Sequence, residues 1–287
     1  MFPNLEYLIV DEKHIRVFPE DLLCKLKCLD VWLDESTPIL SLDDFLLRFH
    51  TVKILFLLGG DGYIWDDSFE EVENGMTAMI KGIDECSDLK QISKQESSNT
   101  SNLEILVILH CDNLINLVPP STSFQTLTCL MVCRCDGMIN VLTSSIAKSL
   151  VRLRRIKIGE CKMITEIVAN DDDEGENYAA KDEIVFSELK ELLLLDLESL
   201  TSFFSGNNCN FKFPSLERLV VEDCPNMNIF SGGELSTPKL RKVELKEFGD
   251  EGCQTLDHDL NTTIQYLYLK NKVRIHSCKM LIFSESY

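Results

Sequence analysis

The sequence predicts an α/β solenoid, a horseshoe with a concave parallel β-sheet and short helical or irregular convex segments. Three observations predict it. One frame recurs: Leu103-x-x-Leu106-x-Ile108-x-x-Cys111-x-x-Leu114 returns as Leu127-x-x-Leu130-x-Val132-x-x-Cys135-x-x-Met138, as Leu153-x-x-Ile156-x-Ile158-x-x-Cys161-x-x-Ile164 and as Leu216-x-x-Leu219-x-Val221-x-x-Cys224-x-x-Met227. The copies are spaced as one supersecondary unit per repeat requires. Within each copy apolar side chains alternate, as in Arg218-Leu219-Val220-Val221-Glu222, so Leu219 and Val221 share one face of a short strand. No single unit can bury that face, whereas stacking parallel strands buries it and pairs the backbone edges.

The frame is the leucine-rich-repeat pattern. Its first anchors fall at Leu5, Leu26, Val52, Ala78, Leu103, Leu127, Leu153, Leu189, Leu216, Leu240 and Ile264. The steps are 21, 26, 26, 25, 24, 26, 36, 27, 24 and 24 residues, which makes about eleven units over residues 1–270. The Ala78 unit is the weakest, since Lys81 and Gly82 sit where its strand should be apolar. Hydrophobes such as Leu114 and Leu117 follow each turn and should fill the convex side. There Pro119-Pro120 argues against long helices, and Ser144 to Leu150 is the best helix candidate. The long step holds an acidic insertion, residues 170–183, headed by Asp171-Asp172-Asp173-Glu174; it reads as a solvated surface loop. Residues 271–287 leave the frame and are expected to form a tail or a makeshift cap. The opening Phe2-Pro3-Asn4-Leu5 resembles the internal Phe213-Pro214-Ser215-Leu216, so the first unit is expected to continue a larger protein.

Charge narrows the function. A net charge of −19 argues against nucleic acid, whose phosphates need a basic surface. No apolar run approaches the roughly 18 residues of a membrane span. Residues Met1 to Val10 contain Glu6 and lack the basic start of a secretory signal. Twelve cysteines then read as reduced thiols; Cys86, Cys111, Cys135, Cys161 and Cys224 share one position in the unit, where a small, weakly polar side chain suits the turn. The pairs Cys24/Cys28 and Cys133/Cys135 lack further ligands at zinc spacing, so no metal is expected.

Chemistry is not foreseen either. The five histidines share no spacing. Ser145-Ile-Ala-Lys148 lacks the companion motifs of a serine acyl enzyme. Gly59-Gly60-Asp61-Gly62 lacks the lysine of a phosphate loop. No catalytic residue and no cofactor are expected. The candidate site is instead the outward face of the strands: Ile54, Phe56 and Leu58, then Ile105, Val107 and Leu109, then Met131, followed by Arg155, Lys157, Arg218 and Lys242. An apolar patch bordering a basic one would suit a protein partner. The apolar part could equally be covered by another part of the same protein.

Several phrases go beyond generic leucine spacing. Ser101-Asn-Leu-Glu-Ile-Leu, Cys111-Asp-Asn-Leu-Ile-Asn-Leu-Val-Pro, Gly159-Glu-Cys-Lys-Met-Ile, Phe213-Pro-Ser-Leu-Glu and Cys224-Pro-Asn-Met resemble the repeat region of plant coiled-coil, nucleotide-binding, leucine-rich-repeat disease-resistance proteins. The resemblance runs to about Lys270. It implies a cytoplasmic immune receptor whose repeats contact a pathogen effector or a guarded host protein and restrain a nucleotide switch. The switch itself is absent here, so the partner is either such a protein or a missing nucleotide-binding domain. A free-standing adaptor, or the substrate receptor of a ubiquitin ligase, is the alternative.

Overall fold

The computed structural model describes residues 5–15, 26–33, 51–59, 102–115, 117, 124–170, 182–206, 209–247, 250–255, 259–270 and 272. The chain divides into two units, residues 1–59 with 99–287 and residues 60–98. The second lies outside the described residues, and every described element belongs to the first.

In chain order the first strands are β1 (Tyr7–Asp11), β2 (Cys28–Trp32), β3 (Ile54–Leu58), β4 (Ile105–Leu109) and β5 (Cys129–Cys133). Next come β6 (Asn140–Thr143), β7 (Arg155–Gly159), β8 (Glu166–Ala169), β9 (Asp182–Val185) and β10 (Glu191–Leu195). The last are β11 (Cys209–Lys212), β12 (Arg218–Glu222), β13 (Leu235–Ser236), β14 (Lys242–Glu247) and β15 (Asp250–Thr255). Helix α1 spans Glu12–Ile15, α2 spans Ser144–Ser149, and α3 covers residues 260–270.

Ten strands form one sheet in the order β1-β2-β3-β4-β5-β7-β10-β12-β14-β15. All neighbours are parallel except the last pair, β14 and β15, which is antiparallel. A large, mostly parallel sheet with few helices is compatible with a repeat solenoid. Pairing never slips: Leu29, Leu55, Leu106, Leu130, Ile156, Leu192, Leu219 and Val243 stand in one row, all fully buried. A one-residue slip would turn every such side chain to the other face, so burial of the row holds the register.

Short strands supply the opposite layer. β9, β11 and β13 form one parallel sheet, and β6 and β8 another. Val141, Val168, Ile184 and Phe211 from these strands join the core that holds the leucine row. The sequence leads one to expect helical or irregular segments there; among the described residues short parallel strands dominate, because each segment pairs with its counterpart in the next unit. The helix expected at Ser144 to Leu150 is present as α2, and Thr143 caps it by accepting the Ile146 N–H at 3.4 Å. Phe186, Phe203, Phe211, Phe213 and Phe230 form one ring cluster, with Phe203 and Phe230 stacked at 4.8 Å.

One expected unit differs. β3 pairs directly with β4, Ile54 against Ile105; the unit expected from Ala78 lies outside the described residues. The unit expected from Ile264 is helix α3, with Leu260 and Ile264 buried four residues apart on one helical face. Asp259 caps it, accepting the Thr262 N–H at 3.0 Å. The acidic insertion is also shorter than residues 170–183 at its far end, since Asp182 and Glu183 begin β9. The rest of it and the tail lie outside the described residues, apart from Asn170 and residue 272.

Five units turn off their strands in the same way. His110, Arg134, Glu160, Asp196 and Asp223, each the residue after a strand, adopt φ of 55°, 55°, 54°, 50° and 46°. For a residue with a side chain this left-handed backbone costs about 1 kcal/mol. It is offset by a hydrogen bond between units: the N–H groups of His110, Arg134, Glu160 and Asp196 reach the last carbonyl of the next strand at 2.9–3.1 Å. In four of the five the next residue is a cysteine. Cys111, Cys135, Cys161 and Cys224 donate Sγ–H to the carbonyl two residues earlier at 3.2–3.3 Å. A second link ties the turns: Asp112 accepts from the Asp136 N–H at 2.9 Å, and Asp136 from the Lys162 N–H at 3.1 Å. Gly137 is required here, because a Cβ would stand 1.8 Å from the Asp112 carbonyl oxygen.

Candidate recognition surface

Alternation along the ten-stranded sheet leaves one side chain in two facing away from the leucine row. Register arranges these outward residues in rows that cross the strands. One row runs Ile54, Ile105, Cys129, Arg155, Glu191, Arg218. The next runs Phe56, Val107, Met131, Lys157, Leu193, Val220, Glu244. In the first row charged side chains begin at Arg155; in the second, apolar Leu193 and Val220 stand between Lys157 and Glu244.

Accessibility divides the eleven expected residues. Phe56, Ile105, Val107, Leu109 and Met131 are buried, at 1–5 % exposure, and so are Cys129 and Cys133 beside them. Ile54 and Leu58 are half-buried. The exposed apolar patch expected on β3 to β5 is thus corrected. Alternation tells which face a side chain takes and says nothing of what lies over that face. Arg155, Lys157 and Arg218 are half-buried and Lys242 is exposed, so the charged half is open to solvent. The boundary falls between β5 and β7, where Met131 and Lys157 are register neighbours.

The charged half is a mesh of opposite signs. Arg155 Nε meets Glu191 Oε2 at 2.5 Å across β7 and β10. Arg218 holds Glu244 with both Nε, at 3.2 Å, and a terminal nitrogen, at 2.9 Å. That two-pronged contact holds the guanidinium more firmly charged than usual, against the smaller opposing effect of partial burial. Lys242 approaches the same Glu244 at 3.9 Å. Arg154 pairs with Glu188 at 2.9 Å just before the strands begin. Lys157 has no ion-pair partner among the described residues. The carboxylates of Glu191 and Glu244, which position the two arginines, stand on the same outward face, each one unit from its arginine, where alternation along the strands also puts them.

The thiols nearest the face are poor nucleophiles. Burial pushes Cys129 up to about 11 and Cys133 up to about 12, against the smaller opposing pull of Arg155 and Lys157 respectively. Among the described residues no group of histidine, cysteine and carboxylate side chains is placed to hold a metal. Nor is any described helix long and apolar enough to cross a membrane.

With this face in view, comparison with known proteins gives a family match. Residues 117–249 match the family model for leucine-rich repeats of plant disease resistance protein RPS2-like. No curated protein and no solved structure matches the chain. The RPS2-like span is slightly under half of the chain and takes in β5 through β14. It therefore contains Arg155, Lys157, Arg218 and Lys242 and leaves out Ile54, Phe56, Leu58, Ile105, Val107 and Leu109. Leucine-rich-repeat domains are generally non-catalytic protein-interaction modules, and the RPS2-like match suggests a recognition role in immunity.

Proposed function

We propose that this chain is a protein-recognition module of plant immunity, engaging a pathogen effector or a guarded host protein through the charged half of its outward face. The observation that carries the reading is the cluster of partly to fully exposed cations, Arg155, Lys157, Arg218 and Lys242, within the span matched by the RPS2-like model. Arginines held in place by Glu191 and Glu244 are pre-ordered, so less side-chain entropy is lost when a partner docks. The residues from Phe56 to Met131 are buried and so offer a partner little surface. Restraint of a nucleotide switch would then be a property of a larger receptor. The free thiols of Cys111, Cys135, Cys161 and Cys224 support a reducing, cytoplasmic setting.

Charge reversal tests the surface. Lys157→Glu combined with Arg218→Glu should abolish retention of a partner from leaf extract by the immobilised chain, with the circular dichroism spectrum unchanged. Equal retention of the same partner by the variant would move recognition elsewhere.

A further inference from the structure

The turns that leave the strands carry a second surface, on the edge of the sheet and apart from its outward face. Three exposed apolar side chains stand there: Ile115, Ile139 and Met163, at 58 %, 47 % and 54 % exposure. Ile115 and Ile139 hold one position of the repeat, the residue after Leu114 and Met138. Backbone bonds carry that row onward. The Thr165 N–H reaches the Ile139 carbonyl at 3.0 Å, the Thr201 N–H that of Thr165 at 2.8 Å, and the Asn228 N–H that of Thr201 at 3.0 Å. The later units thus fill the same position with polar side chains. Met163 likewise stands where the other units have Asn113, Gly137, Ser199 and Asn226. Single exposed hydrophobes are ordinary, but these three sit on the adjoining units of β4, β5 and β7 and make a patch. The patch runs into acid. Glu160, Asp196 and Asp223 occupy the left-handed position in the successive units of β7, β10 and β12, and Glu198 follows Asp196 by two residues. Glu160, Asp196 and Glu198 are exposed and Asp223 is half-buried. Arg134 is engaged by Glu160 at 2.7 Å, and Lys162 by Asp136 at 2.5 Å. Carboxylates therefore outnumber cations along the edge. Partial burial, and then the like charges of Asp223, Glu160 and Glu198, hold the Asp196 carboxyl above its usual range.

We propose that this edge docks a segment of a partner protein in which an apolar stretch adjoins a run of lysine or arginine. The apolar stretch lies over Ile115, Ile139 and Met163, and the cations lie over Glu160, Asp196, Glu198 and Asp223. Charge complementarity selects this occupant. Cations of the partner relieve the repulsion among the four carboxylates, whereas a nucleic acid or an anionic lipid would add to it. From β4 to β12 the turns span four strand spacings, about 19 Å, which about six residues of extended chain cover. The edge shares no residue with the row of Arg155, Lys157, Arg218 and Lys242, so the proposal stands apart from recognition by the outward face.

Fluorescence anisotropy of labelled synthetic peptides with the full chain tests this. The probe is Leu-Ala-Leu-Ala followed by four lysines, made also in the reverse order because a segment can run either way along the edge. The same peptides with glutamate in place of lysine are the controls. At least one lysine peptide should bind saturably at one site, less tightly as salt is added, and the glutamate peptides should not bind. Ile139→Ser with Met163→Ser, and separately Asp196→Asn with Asp223→Asn, should each weaken binding about tenfold or more, with the circular dichroism spectrum unchanged. Glu217→Gln with Glu234→Gln removes the same charge from exposed positions elsewhere and should leave binding as it was. Absence of saturable binding by both lysine peptides overturns the proposal. So does equal weakening by the two charge-removing pairs, which would be general attraction to a chain of net charge −19. Binding that the Ile139 and Met163 pair leaves untouched overturns it as well.

Discussion

The hydroxyl of Ser202 is buried, and its Oγ is the one described buried side-chain polar atom without a hydrogen-bond partner. Ser202 lies where the backbone bridges to Glu166, so local pairing and not the hydroxyl explains its place. A buried unmatched hydroxyl has lost water and gained nothing. Ser202→Ala is expected to stabilise the chain by on the order of 1 kcal/mol in urea unfolding. A loss of that size would mean that the hydroxyl has a partner after all. The opposite sign is expected one layer away. Leu219 is fully buried in the leucine row, and Leu219→Asp places an unpaired carboxylate there, which should remove cooperative unfolding of the surrounding units.

At the scale of the element, the left-handed turns line up similar residue positions, and their charges interact across units. Asp196 is held above the usual carboxylate range, chiefly by burial and then by Asp223, Glu160 and Glu198. Its folded form therefore binds a proton more tightly than the unfolded chain does. The stability this contributes is present at acid pH and is lost as pH rises through the raised value. Asp196→Asn removes the carboxylate and keeps a side chain that tolerates the left-handed backbone. The thermal midpoint at pH 7 should rise by the equivalent of about 0.5 kcal/mol at most, since the site is largely exposed. The gain should vanish below about pH 4. A gain of equal size in acid would rule out charge as its cause. The same elements show what a sequence can disclose. Anchors such as Leu106 and Leu130 announced their strands because alternation is local. Ile264 misled because its 24-residue step outweighed the helical pairing of Leu260 with Ile264 behind the cap Asp259. β9 and β11 had no comparable signal, as strands of four residues form only when their counterparts in other units are in place. Of the candidate surface, the charged half was legible from alternation. The burial of Phe56 and Val107 depends on neighbours that no local pattern names.

For the molecule as a whole, the thiols report how the units hold together. Cys111, Cys135 and Cys161 are buried, Cys224 is half-buried, and none is in a disulfide. Burial pushes Cys224 up to about 12, so thiolate is scarce at neutral pH. A thiol reagent at pH 8 should label the native chain slowly and the unfolded chain fast. Partial denaturant then separates two behaviours. If the units open singly, Cys224 and Cys111 should label at different denaturant concentrations; if the stack opens as one body, they should label together. The register has another consequence. Ile54 pairs with Ile105, 51 residues on, in the same alignment that joins Cys129 to Arg155, 26 residues on. The length of chain between strands and the chemistry displayed by the strands are therefore separate heritable traits. A lineage can lengthen or shorten a connection without moving any displayed residue, and can rewrite a displayed residue without touching a connection.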